Sequence, residues 1–259
     1  MSELILPFLP DNLESLHREE ETIRAKSALY INAEPSCKEH MALVQSSLNT
    51  LFDLVKVHQQ RTDDELTLQY LGIRIFNAVV SALKLMLSGY YQTSFALQRD
   101  VVETGFLLDL FIAYPQRIAE WKAANNDERQ EKFKPSKVRE ALDAKDKLKG
   151  KKRGQLYQQL CEYAAHPSYP GFKLVAPKGL GEIGPFYDEK YLKGALGELV
   201  LRVPYFTLLF MAHFKHLAPE FYKPHIEFIA QYKAWAEQYL HVDLSHVDTA
   251  NMMALVELL

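Results

Sequence analysis

The sequence predicts an all-α protein, and three observations carry that prediction. Apolar residues recur at helical spacing through most of the chain, as in Met41, Val44, Leu48, Leu51, Phe52 and Val55. Residues that favour helix starts stand just ahead of these runs. The stretch TSFALQRDVVETGFLLDLFIAY, from Thr93 to Tyr114, is apolar enough for the centre of a bundle yet carries Arg99, Asp100, Glu103 and Asp109. A buried helix loses stability for each ion it cannot pair, so those charges mark either a structural ion network or a site.

Taken in order, residues 11–31 form a first helix capped by Asp11, with Leu13, Leu16, Ile23 and Tyr30 as a thin apolar stripe. A second helix covers 36–58, where Ser36 and Glu39 have the spacing of a capping box. Asp63 or Asp64 caps a third that continues to Tyr91. Its apolar residues wrap most of the circumference, which marks an inner helix. Gly89 to Thr93 turns the chain into the helix of 93–114, antiparallel to it. Pro115 then opens a short segment around Trp121.

From Asn125 to Arg153 the chain is polar and holds a basic cluster: Lys145, Lys147, Lys149, Lys151, Lys152 and Arg153. Asp143 and Asp146 dilute it, and no aromatic residues alternate with it as on a single-strand platform, so the plainer reading is a solvated linker face. A helix over 153–166 follows and ends at His166-Pro167. Proline stops it, and a histidine suits the negative end of the helix dipole. The segment 172–187 is rich in proline and glycine. It predicts either a small β-hairpin, pairing Phe172–Val175 with Ile183–Phe186, or an irregular flap. Unstructured stretches of this length are uncommon in compact helical domains and often functional.

Asp188 caps a long helix with Leu192, Leu196, Leu199, Val203, Phe206 and Phe210, in which Pro204 predicts a kink. Pro219 and Pro224 join it to a helix with Phe228, Ile229, Tyr232, Trp235 and Tyr239. The apolar end TANMMALVELL closes the core or pairs with another copy. There is no internal repeat. The expected organisation is one helical domain over 1–259: an N-terminal extension (1–35), a bundle core (36–170), the flap or hairpin (171–187) and C-terminal helices (188–259). Helices of 36–58, 63–91, 93–114 and 153–166 form the central bundle, with the later helices packed alongside.

Composition narrows the function classes. A net charge of -3 argues against a protein that coats nucleic acid or a membrane surface. The two cysteines, Cys37 and Cys161, lie far apart without CxxC spacing, which predicts a reducing, cytoplasmic setting and no disulfide framework. The start MSELILPFLPDNLESLHREEE lacks the pattern of a signal peptide. Lys84, the pair Glu103 and Asp109, and the pair Glu198 and Arg202 interrupt the candidate membrane spans, so no membrane association is expected.

Most chemistry is absent from the pattern. A di-iron bundle needs two Glu-x-x-His elements on facing helices, and Glu14/His17 is the single example. His213, His216 and Glu220 have spacings that one helix face can gather, but Pro219 falls among them, so ordinary helix-end histidines are the expectation and no metal is assigned. There is no GxSxG elbow, no cysteine with a catalytic signature and no phosphate loop, and no cofactor is implied. What remains is Arg99, Asp100 and Glu103 together with Tyr163 and His166. Arg99 and Glu103 share a helix face, in line with Ala96, Leu107 and Leu110. They form either a buried network, in which His166 caps its own helix, or an anion or nucleotide pocket. In the pocket, Arg99 binds phosphate bidentately and His166 donates or relays a proton.

At these residues the chain resembles a known group. The run SALKLMLSGYYQTSFALQRDVVETGFLLDLFIAYPQRIAEW, followed by LYQQLCEYAAHPSY, is similar to uncharacterised bacterial HEPN-like helical proteins. Those show an Arg-x-x-x-Glu helix and a Tyr-x-x-His-Pro helix end, matched here by Arg99 with Glu103 and by Tyr163 with His166 and Pro167. The resemblance covers roughly Ser81 to Tyr169. It implies a four-helix bundle that dimerises, and a role in stress response, defence or regulation through a nucleotide, RNA or protein partner. Arg99, Glu103, Tyr163 and His166 would line the pocket. Nuclease members carry Arg-x(4–6)-His on one helix, and no arginine here has a histidine at that distance. Two other readings stay open: metal-independent RNA cleavage by Arg99 and His166 brought together from different helices, and a structural or interaction protein without catalysis.

Overall fold

The computed structural model describes residues 10–147, 152–162 and 167–256, and among them every regular element is helical. The helices are α1 (Asp11–Ala33), α2 (Pro35–Phe52), α3 (Asp63–Leu87), α4 (Tyr91–Ala113), α5 (Arg117–Ala123), α6 (Asn126–Glu128), α7 (Pro135–Lys145), α8 (Lys152–Leu160), α9 (Glu189–Met211), α10 (Tyr222–Leu240) and α11 (Thr249–Val256). Single π-helical turns extend α2 over Asp53–Val57 and α6 over Arg129–Phe133. The all-α expectation holds.

Several helix starts differ in detail from the sequence reading. α1 begins at Asp11 itself, after Pro10. α2 starts on Pro35, whose missing N–H costs nothing in a first turn, and Ser36 donates to the Glu34 carboxylate (3.0 Å) instead of capping. α3 is capped by Thr62, which accepts from the Glu65 amide at 3.1 Å while the Glu65 carboxylate takes the Arg61 amide at 2.6 Å. Asp63 and Asp64 sit instead in its first turn, where negative charge suits the dipole. Asp188 does cap α9, accepting from the Tyr191 amide at 3.0 Å.

The core lies between α2, α3, α4 and α9. The three-residue turn 88–90, with Gly89 at φ 88°, folds α4 back along α3. α9 packs against α2, α3 and α4, while α7 and α8 cover the outer face of α4. This corrects the expected bundle: α9 takes the fourth place and α8, the described helix of the 153–166 segment, is peripheral. The reason is composition. α9 buries Leu192, Leu196, Leu199, Val203, Phe206 and Phe210, whereas α8 offers the polar KRGQLYQQL. Close approach is built in at two glycines, since a Cβ on Gly105 would fall 2.1 Å from the Phe206 ring and one on Gly72 2.4 Å from the Phe210 ring.

Of the two alternatives for 172–187, a β-hairpin or an irregular flap, the chain takes the second. Pro170–Val175 is a 3-10 helix, and the chain to Tyr187 is irregular, with a backbone bond from the Glu182 amide to Val175 (2.8 Å). Pro185 removes a donor from the second proposed strand, and Gly179 and Gly184 turn the chain at positive φ. The segment is fastened instead to the α3–α4 end of the bundle. Gln92 donates to the Gly171 carbonyl (3.3 Å), Tyr191 donates to that of Lys173 (2.6 Å), and Phe186 packs edge-on against Tyr91.

Windows of α3 and α9 reach mean hydropathies of 1.5 and 1.3, long and apolar enough to cross a membrane despite Lys84, Glu198 and Arg202. Both are inner helices of the bundle, with 39% and 56% of those windows buried in it. That is what a core helix requires by itself.

Candidate functional site

α4 turns Arg99 and Glu103 towards α8, away from the core. Arg99 donates to Glu103 Oε1 through Nε (3.0 Å) and Nη2 (2.8 Å), the pairing that i, i+4 spacing allows. The same Nε reaches the Tyr157 hydroxyl of α8 at 3.0 Å, and that hydroxyl donates to Glu103 Oε1. Over the Tyr157 ring lies a second guanidinium, Arg139 of α7, 3.9 Å from the centroid; Arg99 is 5.4 Å from it. Three helices thus meet on one tyrosine.

Burial and then the hydrogen bond to Glu103 push the Tyr157 hydroxyl far above its ordinary range, with the Cys161 thiol adding to the effect. It stays protonated and acts as a donor. Burial works against the charge on Arg99, but its bonds to Tyr157 and Glu103 outweigh it and hold the guanidinium charged. This half-buried trio is tied internally. Arg139 is not: its Nη1 is buried and has no hydrogen-bond partner among the described residues.

Beside it runs a groove of about 520 Å³ between α7 and α8, lined by Arg139, Glu140 and Asp143 on one side and Gln155, Tyr157 and Cys161 on the other. Asp143 is already engaged by Arg153 at 3.0 Å. Arg153 also lies 3.6 Å from Asp109 and pairs with Asp146, and Lys145 lies 3.8 Å from both aspartates. Burial raises the Asp109 pKa, against the pull of Lys145 and Arg153. Two members of the basic cluster therefore act as ties among α4, α7 and α8. Lys149 and Lys151 lie outside the described residues.

Of the residues singled out in the sequence, the fold brings Arg99 and Glu103 together and sends Asp100 the other way, to Arg74 (3.2 Å from its Nε). Tyr163 and His166 lie outside the described residues. Tyr157 and Arg139 are the participants that sequence reading missed. A signal existed for each: Tyr157 stands four residues before Cys161 on one helix face, and Arg139 adjoins Val138, which with Leu142 forms the buried stripe of α7.

The histidine set does not assemble. His213 packs inward with Nε2 at 3.1 Å from the Leu108 carbonyl, and burial lowers its pKa to about 4. His216 and Glu220 are exposed at a different groove, beside His58. Among the described residues no group of three His, Cys, Asp or Glu could hold a metal ion. His17 pairs with Glu20 (3.1 Å), and Cys37 and Cys161 are free thiols.

Compared with known proteins, the chain matches no family model, no curated protein and no solved structure.

Proposed function

We propose that this chain is a HEPN-like helical protein, lacking that group's usual nuclease motif, that binds a phosphate-bearing partner, a nucleotide or an RNA end, in the groove between α7 and α8. Such a protein would act in stress response, defence or regulation. The observation that supports this reading is Arg139, stacked on Tyr157 at the groove with a buried, unpartnered Nη1. Leaving a buried guanidinium N–H unsatisfied is costly, and a phosphate oxygen is its natural acceptor. Tyr157 orients Arg139 from below. Arg99 holds Tyr157 in place through the shared Glu103 carboxylate and adds positive charge beneath the ring.

The test is titration calorimetry with nucleoside mono-, di- and triphosphates and a short 5′-phosphorylated RNA, on wild type and Arg139→Ala. Wild type should bind at least one of these ligands, and Arg139→Ala should weaken it about tenfold or more, the worth of one charge-assisted contact. An Arg139→Ala protein that folds and binds as wild type does would sink the proposal, as would a wild type that binds none of them. RNA cleavage by wild type that is lost in both Arg99→Ala and His166→Ala would replace the binding role with an enzymatic one.

A further inference from the structure

Where α7 meets α3, α4 and α5 lies a second groove, of about 450 Å³, walled by Tyr70, Trp121, Phe133 and Leu107 and floored by Glu103 and Thr104 of α4. The two grooves draw on different residues of α7, Pro135 and Val138 here and Arg139 and Asp143 there.

The floor holds two polar groups with unused capacity. Glu103 Oε1 takes every hydrogen bond made to that carboxylate, two from Arg99 and one from Tyr157, and Oε2 receives none among the described residues. Thr104 is the more telling. The helical threonines Thr22, Thr50, Thr67 and Thr207 each donate to the carbonyl four residues back. Thr104 makes no such bond, although it is only 5% exposed. A buried hydroxyl that forgoes its local acceptor keeps both its donor and its lone pairs uncommitted, and Thr104 lines the groove.

We propose that this groove binds a planar heterocycle carrying an exocyclic amino group, such as an aminated nucleobase, independently of the phosphate groove. Aromatic walls suit a flat ring. A free carboxylate oxygen accepts from an amino group and repels a keto oxygen at the same place. The Thr104 hydroxyl, next to it, donates to a ring nitrogen. Arg74 and Asp100, paired at the rim, leave no net charge there for a phosphate to seek.

The experiment uses nucleosides, which carry no phosphate, and reads the fluorescence of Trp121 on the full chain, with Trp121→Phe as the control for signal from Trp235. Adenosine and cytidine should quench saturably. Uridine, with a keto oxygen where cytidine has its amino group, should bind about fivefold more weakly or worse. Thr104→Val, which keeps the shape, should weaken cytidine about fivefold with an unchanged melting curve. Arg139→Ala should leave nucleoside binding intact, so failure here is distinguishable from failure of the phosphate groove. The inference is overturned by an absence of saturable quenching, by uridine equal to cytidine, by indifference to Thr104→Val, or by loss of nucleoside binding in Arg139→Ala.

Discussion

The two sides of α4 are built on opposite principles. Towards α9 and the inner side of α3 it is sealed: Val102 and Leu108 are fully buried, Gln98 donates to the Ala195 carbonyl (3.2 Å), Ser94 to that of Ala82 (2.9 Å), and Gly105 lets the Phe206 ring touch the backbone. Towards α7 and α8 the same helix offers Arg99, Glu103 and Asp109, each meeting a charged or hydroxyl partner from another helix. One face is fixed by volume, the other by matched charge. Volume tolerates little change, while charge pairs can be rearranged at modest cost. The sealed face therefore carries stability, and the paired face is where a ligand can compete for partners.

The largest effect should come from breaking the sealed face at its closest approach. Gly105→Val puts two methyl groups where even a Cβ falls 2.1 Å from Phe206 Cδ1. Overpacking of this kind should cost about 3 kcal/mol or more, read as a shift of the urea midpoint at unchanged slope. A loss below 1 kcal/mol would mean that the two faces do not differ as described.

Acid should separate the faces next, because neighbouring residues of α4 sit on opposite sides. The Leu108 carbonyl meets His213, and Asp109 meets Lys145 and Arg153. Burial lowers His213 to about 4, and also His225, whose Nε2 has no hydrogen-bond partner among the described residues. A folded pKa below the unfolded value near 6.5 means that the unfolded chain takes up protons first as pH falls. The stability from each histidine is complete above 6.5 and is lost between there and 4, on the order of 2 kcal/mol apiece. Asp109, raised by burial, works with the opposite sign and offsets part of this. The melting temperature should fall steadily from pH 7 to 4.5, and His225→Leu should flatten that slope. A flat profile in wild type would contradict the buried histidines.

Arg153 tests the paired face. Three carboxylates share it, so Arg153→Met leaves Asp109 and Asp143 short of a cation and should cost about 1–3 kcal/mol. Asp109→Asn removes a carboxylate whose burial already opposes its charge, while Arg153 keeps Asp143 and Asp146. It should cost less than Arg153→Met by chemical denaturation. The reverse order would show that Asp109 anchors the network.

The same contrast explains what the sequence made legible. Helical periodicity reads burial, so α3 and α4 could be placed from Leu71, Ile75, Val79, Val101 and Leu108 alone. Arg99 with Glu103 was also readable, since i, i+4 spacing is local. Whatever depends on which helices meet was not. The fourth place in the bundle went to α9 because its apolar stripe outweighs that of the 153–166 segment, a comparison no single window makes. Tyr157 and Arg139 acquire their roles only when α7 and α8 dock on α4, 58 residues separating Tyr157 from Arg99. Between hairpin and irregular flap the sequence also held a local reason for the flap: Pro185 lies inside the second proposed strand and denies it a donor.

The smallest predicted effect separates packing from bonding at the tyrosine itself. Tyr157→Phe keeps the ring under Arg139 and removes the hydroxyl that links Arg99 to Glu103. Arg99 and Glu103 remain bonded to one another, so neither charge is orphaned, and the loss should be about 1 kcal/mol or less. Tyr157→Ala removes the ring as well and should cost clearly more. For phosphate binding the order carries the information. If the ring is what orients Arg139, Tyr157→Phe binds nearly as wild type does and Tyr157→Ala falls to the level of Arg139→Ala. If Tyr157→Phe alone abolishes binding, the hydroxyl touches the ligand directly, and the internal trio, not the stacked guanidinium, is the seat of recognition.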